Sequence, residues 1–369
     1  MNVLVTGGCG FIGSHLVDRL IKEGHRVRVY DILEPQVFGN KKPHYLNTAA
    51  EYIFADIRNK DKLRKALKNI EIVFHEASQV GVGQSMYEIE KYVSHNIYGS
   101  AVLLDLIVNT KNKIRKVIVA SSMSIYGEGA YKCYKCGNVY PSLRSKGQLK
   151  GKKWEMQCPY CSKEVSPAPT NEYKPLWPTS IYASSKRSQE EMCLEVGLAY
   201  KIPTVALRYF NVYGPRQSLS NPYTGVAAIF LSRVKNNNLP LIFEDGNQSR
   251  DFIYVSDIVE ANILAMIRKE ADYEFFNIGT GVPRTILEVA KTVISFYGKT
   301  LTPRIINKFR AGDIRHCYAD ISKIRKKIGF SPKVSFSQGM KELIGWSETQ
   351  KARDFSRRAQ LELREKGLV

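Results

Sequence analysis

The sequence has no apolar run long enough to cross a lipid bilayer, so a membrane-spanning chain is not expected. It opens directly on the strand-like residues Val3–Thr6 and has no signal-peptide pattern, which makes the cytoplasm the expected compartment. It also has no internal repeat and no low-complexity segment, which argues against a repeat architecture and against a disordered chain.

Acidic residues are few relative to basic ones. There are 35 Asp and Glu residues against 55 Lys and Arg residues, which gives a formal net charge of +20. Such a charge is compatible with nucleic-acid binding. The basic residues are spread along the whole chain, however, and a phosphorylated substrate or simple solubility accounts for much of the charge. Neither a membrane nor a nucleic acid is therefore the expected partner.

A chain of 369 residues is long for a single core, and it predicts two lobes. Predicted strands and helices alternate through the first half, which indicates an α/β fold with a Rossmann-type, doubly wound parallel sheet. The predicted nucleotide-binding domain comprises residues 1–130, 167–213 and about 251–279. Residues 214–250 and 280–346 form a smaller mixed α/β substrate lobe, 131–166 are a cysteine-bearing insertion, and 347–369 are a charged helical tail.

A glycine-rich loop follows the first predicted strand. Gly8, Gly10 and Gly13 form the literal GxGxxG pattern, and Gly7, Gly10 and Gly13 form a GxxGxxG pattern. Glycines let the backbone turn tightly and approach a pyrophosphate, which then lies at the N-terminus of the following helix. Asp31 ends the second strand, where its carboxylate can bind ribose hydroxyls and would repel a 2′-phosphate. NAD is therefore the expected cofactor, rather than NADP.

Three residues suit proton transfer at the other side of such a site. Tyr182 and Lys186 are spaced i, i+4 and share one helix face. The ammonium of Lys186 is expected to lower the pKa of Tyr182, which would act as a base. Ser122 follows the buried strand Lys116–Ala120 and can hold a substrate oxygen while Tyr182 takes its proton.

Four of the seven cysteines form two CxxC pairs, namely Cys133, Cys136, Cys158 and Cys161. This spacing is typical of a zinc ribbon, and four thiolates make a closed tetrahedral set for a structural Zn²⁺ ion. The segment between them has few apolar runs, so metal binding would supply its folding energy. An iron–sulfur site and a redox-active dithiol pair are the alternatives.

These motifs together resemble the extended short-chain dehydrogenase/reductases, in the NAD-dependent epimerase/dehydratase branch. The run Arg208-Tyr209-Phe210-Asn211-Val212-Tyr213-Gly214-Pro215-Arg216 carries that resemblance, as does Arg250-Asp251-Phe252-Ile253-Tyr254-Val255. It covers Met1 to about Trp346, apart from the insertion. The first run, the residues after it and the insertion are similar to dTDP-L-rhamnose 4-epimerases.

The resemblance implies a role for individual residues. Ser122, Tyr182 and Lys186 would be the catalytic triad. The cofactor would be bound by Gly7, Gly10, Phe11, Ile12, Gly13, Asp31, Asp56, Ile57, Asn96, Tyr182 and Lys186. The nucleotide-diphospho-sugar substrate would be bound by Ser122, Ser124, Asn211, Arg250, Arg310 and Asp313.

Nucleotide-sugar 4,6-dehydratases of this branch carry an Asp-Glu pair just after the catalytic hydroxyl, where this chain has Met123 and Ser124. Elimination of water is therefore disfavoured, and epimerisation at C4 through a 4-keto sugar is the expected reaction. A 4-ketoreductase, a dehydrogenase and a UDP-hexose 4-epimerase are alternatives within the branch. A remote alternative is an NAD-binding regulatory protein whose ribbon binds nucleic acid. Relatives imply a homodimer formed through the helices that carry Asn96 and Tyr182.

The tail from Lys351 to Val369 mixes basic and acidic residues with Phe355, Ala359 and Leu363. We expect a charged helix with a solvated face. The insertion lies between Ser122 and Tyr182 in sequence, so we expect it near the mouth of the substrate cleft, capping the sugar site or extending the dimer.

Overall fold

The computed structural model describes residues 1–39, 41–310 and 312–369. Its strands, in chain order, are β1 (Asn2–Thr6), β2 (Arg26–Asp31), β3 (Glu51–Phe54), β4 (Ile72–His75), β5 (Lys116–Ser122), β6 (Ala130–Cys133), β7 (Gly137–Val139), β8 (Ser166–Ala168), β9 (Thr204–Tyr209), β10 (Asn211–Tyr213), β11 (Leu241–Ile242), β12 (Ser249–Tyr254), β13 (Phe275–Ile278), β14 (Pro283–Thr285), β15 (Arg304–Ile305) and β16 (His316–Cys317).

The α-helices are α1 (Phe11–Lys22), α2 (Pro35–Phe38), α3 (Lys60–Ala66), α4 (Val82–Ser85), α5 (Ile89–Tyr92), α6 (Gly99–Asn109), α7 (Lys146–Lys150), α8 (Ile181–Tyr200), α9 (Val226–Lys235), α10 (Val255–Ile267), α11 (Ile286–Phe296), α12 (Ser322–Ile328), α13 (Phe336–Glu348) and α14 (Ser356–Glu365). A π-helical turn, Val93–Tyr98, joins α5 to α6, and a short 3₁₀ turn, Met123–Tyr126, follows β5. Within the described part of the chain, no helix combines the length and the apolar character needed to span a membrane.

Seven parallel strands form the large sheet, in the spatial order β13–β9–β5–β4–β1–β2–β3. Val3, Leu4 and Val5 in β1 are all fully buried, although their side chains point alternately to opposite faces. Such a continuous apolar strand requires helices on both faces of the sheet. The predicted Rossmann-type, doubly wound α/β fold is confirmed.

The carboxyl ends of the central strands put polar residues along one edge of the sheet. Thr6 ends β1, Asp31 ends β2, His75 ends β4 and Ser122 ends β5. The chain order reverses between β1 and β4, and ligands of doubly wound sheets bind at such a switch point. The edge therefore positions the site.

A second lobe is built on a smaller mixed sheet. Strand β12 pairs with β10 and β16 in parallel and with β14 in antiparallel orientation. Its apolar core is supplied mainly by α9, α11 and α13. The expected domain boundary at residue 251 falls inside β12, so the whole strand Ser249–Tyr254 lies in this smaller sheet while α10, which follows it, packs on α1.

The insertion forms a three-stranded antiparallel sheet in the order β7–β6–β8. Its small core contains Tyr131, Val139, Met156 and Val165 together with the cysteines of the two CxxC pairs. This unit, residues 130–168, is called the ribbon below.

The C-terminal tail is helical as expected, but its placement differs from the expectation of a solvated element. Ala359 and Leu363 of α14 are buried, and Glu362 accepts hydrogen bonds from the hydroxyls of Tyr87 and Tyr223. The apolar residues spaced four apart give α14 a face that packs on the protein body. The charged residues dominated the sequence pattern and concealed that face.

Candidate active site

A cleft of about 660 Å³ lies between the carboxyl edge of the large sheet and the second lobe. It brings together most of the residues that the sequence assigned to a site: Gly7, Gly10, Phe11, Ile12, Gly13, Asp31, Ile57, Ser122, Ser124, Tyr182, Lys186, Asn211, Arg250, Arg310 and Asp313 all line it. Asp56 and Asn96 are the exceptions, because neither lines the cleft.

The glycine loop packs too tightly for side chains. Gly7 has a φ of 71°, and a Cβ atom at Gly13 would lie 2.3 Å from the carbonyl oxygen of Gly7. Helix α1 starts directly after Gly10, so its N-terminal amides face the cleft wall that these glycines form. A bare backbone at a helix N-terminus fits the pyrophosphate of a dinucleotide.

Asp31 is held at the neighbouring strand end by two backbone amides. Cys9 N donates to its Oδ2 at 2.9 Å, and Leu33 N donates to its Oδ1 at 2.8 Å. Burial raises the pKa of Asp31, and these amide hydrogen bonds oppose that shift. The carboxylate is thus fixed in the cleft wall with acceptor capacity left for hydroxyl donors.

Asp56 and Asn96 lie behind the wall instead. Asp56 forms an ion pair with Arg58 at 2.6 Å. Asn96 is fully buried in the π-helical turn, where it accepts from Gln79 N at 2.7 Å and donates to Ser185 Oγ at 2.9 Å. Asn96 thereby ties the loop after β4 to helix α8, and it supports the cofactor side from behind.

Ser122 is placed by the strand end and by the 3₁₀ turn that follows. Its Oγ accepts hydrogen bonds from Ser124 N at 3.2 Å and from Ser124 Oγ at 2.9 Å. Both hydroxyls line the cleft. The pair leaves the hydroxyl of Ser122 free to donate toward a substrate oxygen.

Tyr182 and Lys186 occupy the first two turns of α8. Ser180 caps this helix by accepting from Ala183 N at 3.1 Å, and Ser85 Oγ accepts from Tyr182 N at 3.0 Å. The expectation that Lys186 lowers the pKa of Tyr182 is not met in the protein alone. Burial raises the pKa of Tyr182, and only the interaction with Ser122 opposes that shift.

The ammonium of Lys186 is directed elsewhere by a buried network. It donates to Gln189 Oε1 at 2.5 Å, while Gln189 Nε2 lies 2.9 Å from both Ser100 Oγ and His75 Nε2. Burial lowers the pKa of Lys186 to about 8, and Glu76 opposes that shift. Sequence reasoning missed Gln189, although its i, i+3 spacing from Lys186 places it on the same helix face.

Arg250 and Asn211 line the substrate side of the cleft. Arg250 donates from Nη1 to the carbonyl oxygen of Arg315 at 2.9 Å and from Nη2 to that of Ile314 at 2.7 Å. These bonds fix the plane of the guanidinium. The side-chain oxygen of Asn211 is buried and has no hydrogen-bond partner among the described residues. A buried acceptor of this kind fits a donor that a ligand supplies.

Arg310 and Asp313 face each other across a tight turn. Arg310 Nε donates to Asp313 Oδ2 at 2.7 Å, and the guanidinium lies 4.6 Å from the ring centroid of Phe243. Together with Arg250, these residues place positive charge at the cleft end opposite the glycine loop. Such charge suits a diphosphate group.

The cleft contains further residues that the sequence did not indicate. Glu76 and Tyr209 meet beside Lys186, where Tyr209 Oη donates to Glu76 Oε1 at 2.9 Å. Burial raises the pKa of Glu76 to about 7, and Tyr209 and Lys186 oppose that shift. Ala359 and Leu363 of α14 also line the cleft.

The ribbon brings its four cysteine sulfurs within 4.8 Å of one another, and Cys133 Sγ lies 3.6 Å from Cys161 Sγ. All four are free thiols. Sulfurs bound tetrahedrally to zinc at about 2.3 Å lie about 3.8 Å apart, so the set fits a tetrathiolate zinc site. No ribbon residue is among those that line the cleft in the described structure, which places this unit behind the substrate lobe rather than over the sugar site.

Comparison with known protein families gives two matches. Residues 3–142 match the model of the NAD dependent epimerase/dehydratase family, and residues 163–343 match that of GDP-mannose 4,6 dehydratase. The chain is also 34% identical over 347 residues to dTDP-L-rhamnose 4-epimerase from Burkholderia thailandensis, which covers 93% of this chain and 94% of that relative.

Two solved structures share the fold over nearly their whole length. UDP-glucose 4-epimerase from Thermotoga maritima, solved with UDP-glucose, superposes with a TM-score of 0.77 at 33% identity and covers 94% of this chain and 99% of its own. UDP-glucuronic acid 4-epimerase from Bacillus cereus, solved with UDP-glucuronic acid and NAD, gives a TM-score of 0.76 at 29% identity with the same coverage.

Proposed function

This chain belongs to the NAD-dependent epimerase/dehydratase family, and from that premise we propose that it epimerises a nucleotide-diphospho-sugar at C4. The reaction passes through a 4-keto sugar. Bound NAD supplies the hydride acceptor and donor at C4 and stays with the protein through the cycle.

One observation carries the proposal. Ser122, Tyr182 and Lys186 share a single cleft with the glycine loop at one end and with Arg250 and the Arg310–Asp313 pair at the other. A dinucleotide and a nucleotide-sugar diphosphate therefore both find matching groups on either side of one proton-transfer centre.

The chain's own residues handle the proton of the C4 hydroxyl. Tyr182 takes this proton, and Ser122 hydrogen-bonds to the same oxygen. Because burial raises the pKa of Tyr182, the phenolate needs a cationic neighbour to form. We propose that Lys186 supplies that charge when the nicotinamide ribose engages it in place of Gln189. Tyr182 returns the proton when the 4-keto sugar is reduced.

The turn after Ser122 favours epimerisation over dehydration. A 4,6-dehydratase needs an acid and a base at C5 and C6. Here Met123 is buried and Ser124 is hydrogen-bonded to Ser122, so neither position supplies a carboxylate.

For the substrate, dTDP-L-rhamnose is our first choice. The support is the 34% identity to the Burkholderia enzyme over 93% of this chain. UDP-hexoses are the alternative, because the Thermotoga structure is similar at 33% identity and contains UDP-glucose. Arg250, Arg310 and Asn211 would anchor the diphosphate in either case, and Asp313 the nucleoside ribose.

We also propose that the ribbon holds one structural zinc ion through Cys133, Cys136, Cys158 and Cys161. The support is the closeness of the four sulfurs and their place in a small apolar core. The ion takes no part in the reaction, since the cleft and the cysteines are separate.

The test is proton NMR of dTDP-L-rhamnose incubated with purified protein in D₂O and no added cofactor. We expect the C4 epimer to form without deuterium at C4, because hydride returns internally. The Tyr182→Phe variant, which keeps the cleft but loses the hydroxyl, should form none.

Turnover of UDP-glucose but not of dTDP-L-rhamnose would keep the mechanism and replace the substrate. Turnover only after reduced cofactor is added would overturn epimerisation in favour of a ketoreductase.

A further inference from the structure

A buried charged cluster joins the ribbon to the substrate lobe, outside the cleft itself. Arg144 of the ribbon donates from Nη1 to Glu244 Oε2 at 2.9 Å and from Nη2 to Glu244 Oε1 at 2.8 Å. Their side chains are only 1% and 3% exposed. Arg144 Nη1 also donates to the carbonyl oxygen of Trp154 at 3.0 Å, which fixes the arginine within the ribbon.

Glu244 connects this ion pair to the cleft. It lines the cleft and has a φ of 53°, a backbone conformation that costs a residue with a side chain about 1–3 kcal/mol unless its surroundings hold it. The residue before it, Phe243, supplies the ring beneath the guanidinium of Arg310. A strained residue clamped by an ion pair therefore sets the position of that ring.

The same cluster reaches Arg250 through Arg315, whose side chain is fully buried. Arg315 binds Glu244 at 2.9 Å and Asp245 at 2.7 Å, and its Nε donates to Glu155 of the ribbon at 3.0 Å. The backbone carbonyl of Arg315 accepts from Arg250. Arg250 is thus one hydrogen bond away from a residue that the ribbon holds.

We propose that Arg144 is a positioning residue for substrate binding, through which the ribbon holds Glu244 and hence the Phe243–Arg310 and Arg250 anchors of the nucleotide diphosphate. The inference rests on the proposed function, since it assigns the ribbon a role at that same site. Removing Arg144 leaves the carboxylate of Glu244 facing only Arg315, so the strained loop relaxes. The NAD half of the cleft has no contact with this cluster and keeps its geometry.

The test compares four proteins purified with their bound NAD: the natural chain, Arg144→Lys, Arg144→Ala and Arg115→Ala. Arg144→Lys keeps the charge but cannot bind both oxygens of Glu244. Arg115→Ala is the matched control, because Arg115 pairs with Glu71 at an exposed site far from the cleft. Binding of dTDP and of UDP is measured by calorimetry, together with the NAD and zinc contents and with KM and kcat.

We expect both Arg144 variants to bind the diphosphate at least about tenfold more weakly, which corresponds to losing a hydrogen bond to a charged group. KM should rise by a similar factor while kcat stays within about twofold, because a positioning residue outside the triad alters binding rather than chemistry. NAD and zinc contents should match those of the Arg115→Ala control.

Unchanged dTDP and UDP affinity in both Arg144 variants would overturn the inference. So would loss of NAD or zinc in both, because Arg144 would then support the whole fold rather than the diphosphate anchors. Failure of the natural chain to bind either nucleotide would instead refute the proposed substrate class. The two failures are therefore distinguishable.

Discussion

At the scale of single residues, the electrostatics of Tyr182 and Lys186 define what the site can do. Burial raises the pKa of the phenol and lowers that of the ammonium to about 8, so each shift opposes the charged form. The two side chains lie on one helix face, yet Lys186 is engaged by Gln189. Ligand-linked release of that ammonium is therefore the step that would activate the base.

Replacing Tyr182 by Phe removes the base while keeping the ring that packs edge-on against Tyr92. We expect kcat for the nucleotide sugar to fall by about 10²–10⁴-fold, the range for losing a general acid–base group, while NAD content stays unchanged. Tyr200→Phe at the exposed end of the same helix is the control. Retention of more than a tenth of the activity by Tyr182→Phe would argue against this role.

His75 gives a prediction for the pH dependence of stability. Burial, together with the charge of Lys186, lowers its pKa to about 3 from an ordinary 6.5. The unfolded chain therefore binds a proton below pH 6.5 that the folded protein refuses, so stability is lost as the pH falls from 6.5 toward 3.

The His75→Gln variant does not titrate there. Between pH 7.5 and 5.5, its free energy of unfolding should fall by about 1.4 kcal/mol less than that of the natural chain. Urea unfolding at the two pH values measures the difference. His44→Gln, at an exposed site, should behave like the natural chain. Equal pH slopes for His75→Gln and the natural chain would refute the assignment.

At the scale of elements, α14 closes part of the cleft although it looks like a solvated tail. Leu363 is buried beside Gly83, whereas Leu361 on the same helix is 51% exposed. Glu362 adds hydrogen bonds from two tyrosine hydroxyls. The helix is held by one apolar face and a polar latch.

Leu363→Asp places a carboxylate without a counter-charge in an apolar contact, which detaches α14. We expect KM for the nucleotide sugar to rise by about tenfold, equivalent to about 1.4 kcal/mol of binding. Trypsin should also cleave the tail faster. Leu361→Asp is the matched control and should change neither quantity. Equal effects of both substitutions would show that the buried face is not what matters.

The ribbon is an element whose stability depends on its thiols. Zinc contributes on the order of 10 kcal/mol to the folding of small zinc sites. We therefore expect the double change Cys136→Ser and Cys161→Ser to abolish zinc binding and to raise amide exchange within the ribbon while the seven-stranded sheet stays protected. Elemental analysis and exchange mass spectrometry provide the two readouts.

Tyr160→Phe, on an exposed side chain between two of the cysteines, is the control and should retain the metal. Zinc retained by the double variant, or zinc lost with no change in exchange, would contradict the structural role.

At the scale of the whole molecule, a homodimer through the Asn96 and Tyr182 helices stays a prediction. The segment before α6 exposes Ile89, Val93 and Tyr98 at 49%, 40% and 57%. Exposed apolar side chains grouped in one segment suit an interface. The combined change Val93→Asp and Tyr98→Asp should therefore give a monomer by sedimentation velocity, because it puts charge into that contact.

Ile267→Asp is the control, at an exposed apolar residue on another helix. A monomeric natural chain, or a dimer that survives the double change, would rule out this interface.

The sequence by itself determined the features that depend on neighbouring residues. The glycine loop could be predicted because Gly7 and Gly13 are needed for a local backbone path, and the parallel sheet because its strands are continuously apolar. The i, i+4 spacing of Tyr182 and Lys186 and the two CxxC pairs are equally local. Accordingly, the cleft contains the triad, and the four thiols come together.

Only the tertiary structure decided which distant groups meet. Asn96 turned out to brace the wall from behind, Lys186 to face Gln189, α14 to pack over the cleft, and Arg144 to clamp Glu244, which is 100 residues away in sequence. A charged or polar side chain looks the same in a sequence whether it is solvated or paired. Its partner is fixed by long-range packing, because burial of such a group is tolerated only where another element supplies the complementary charge or hydrogen bond.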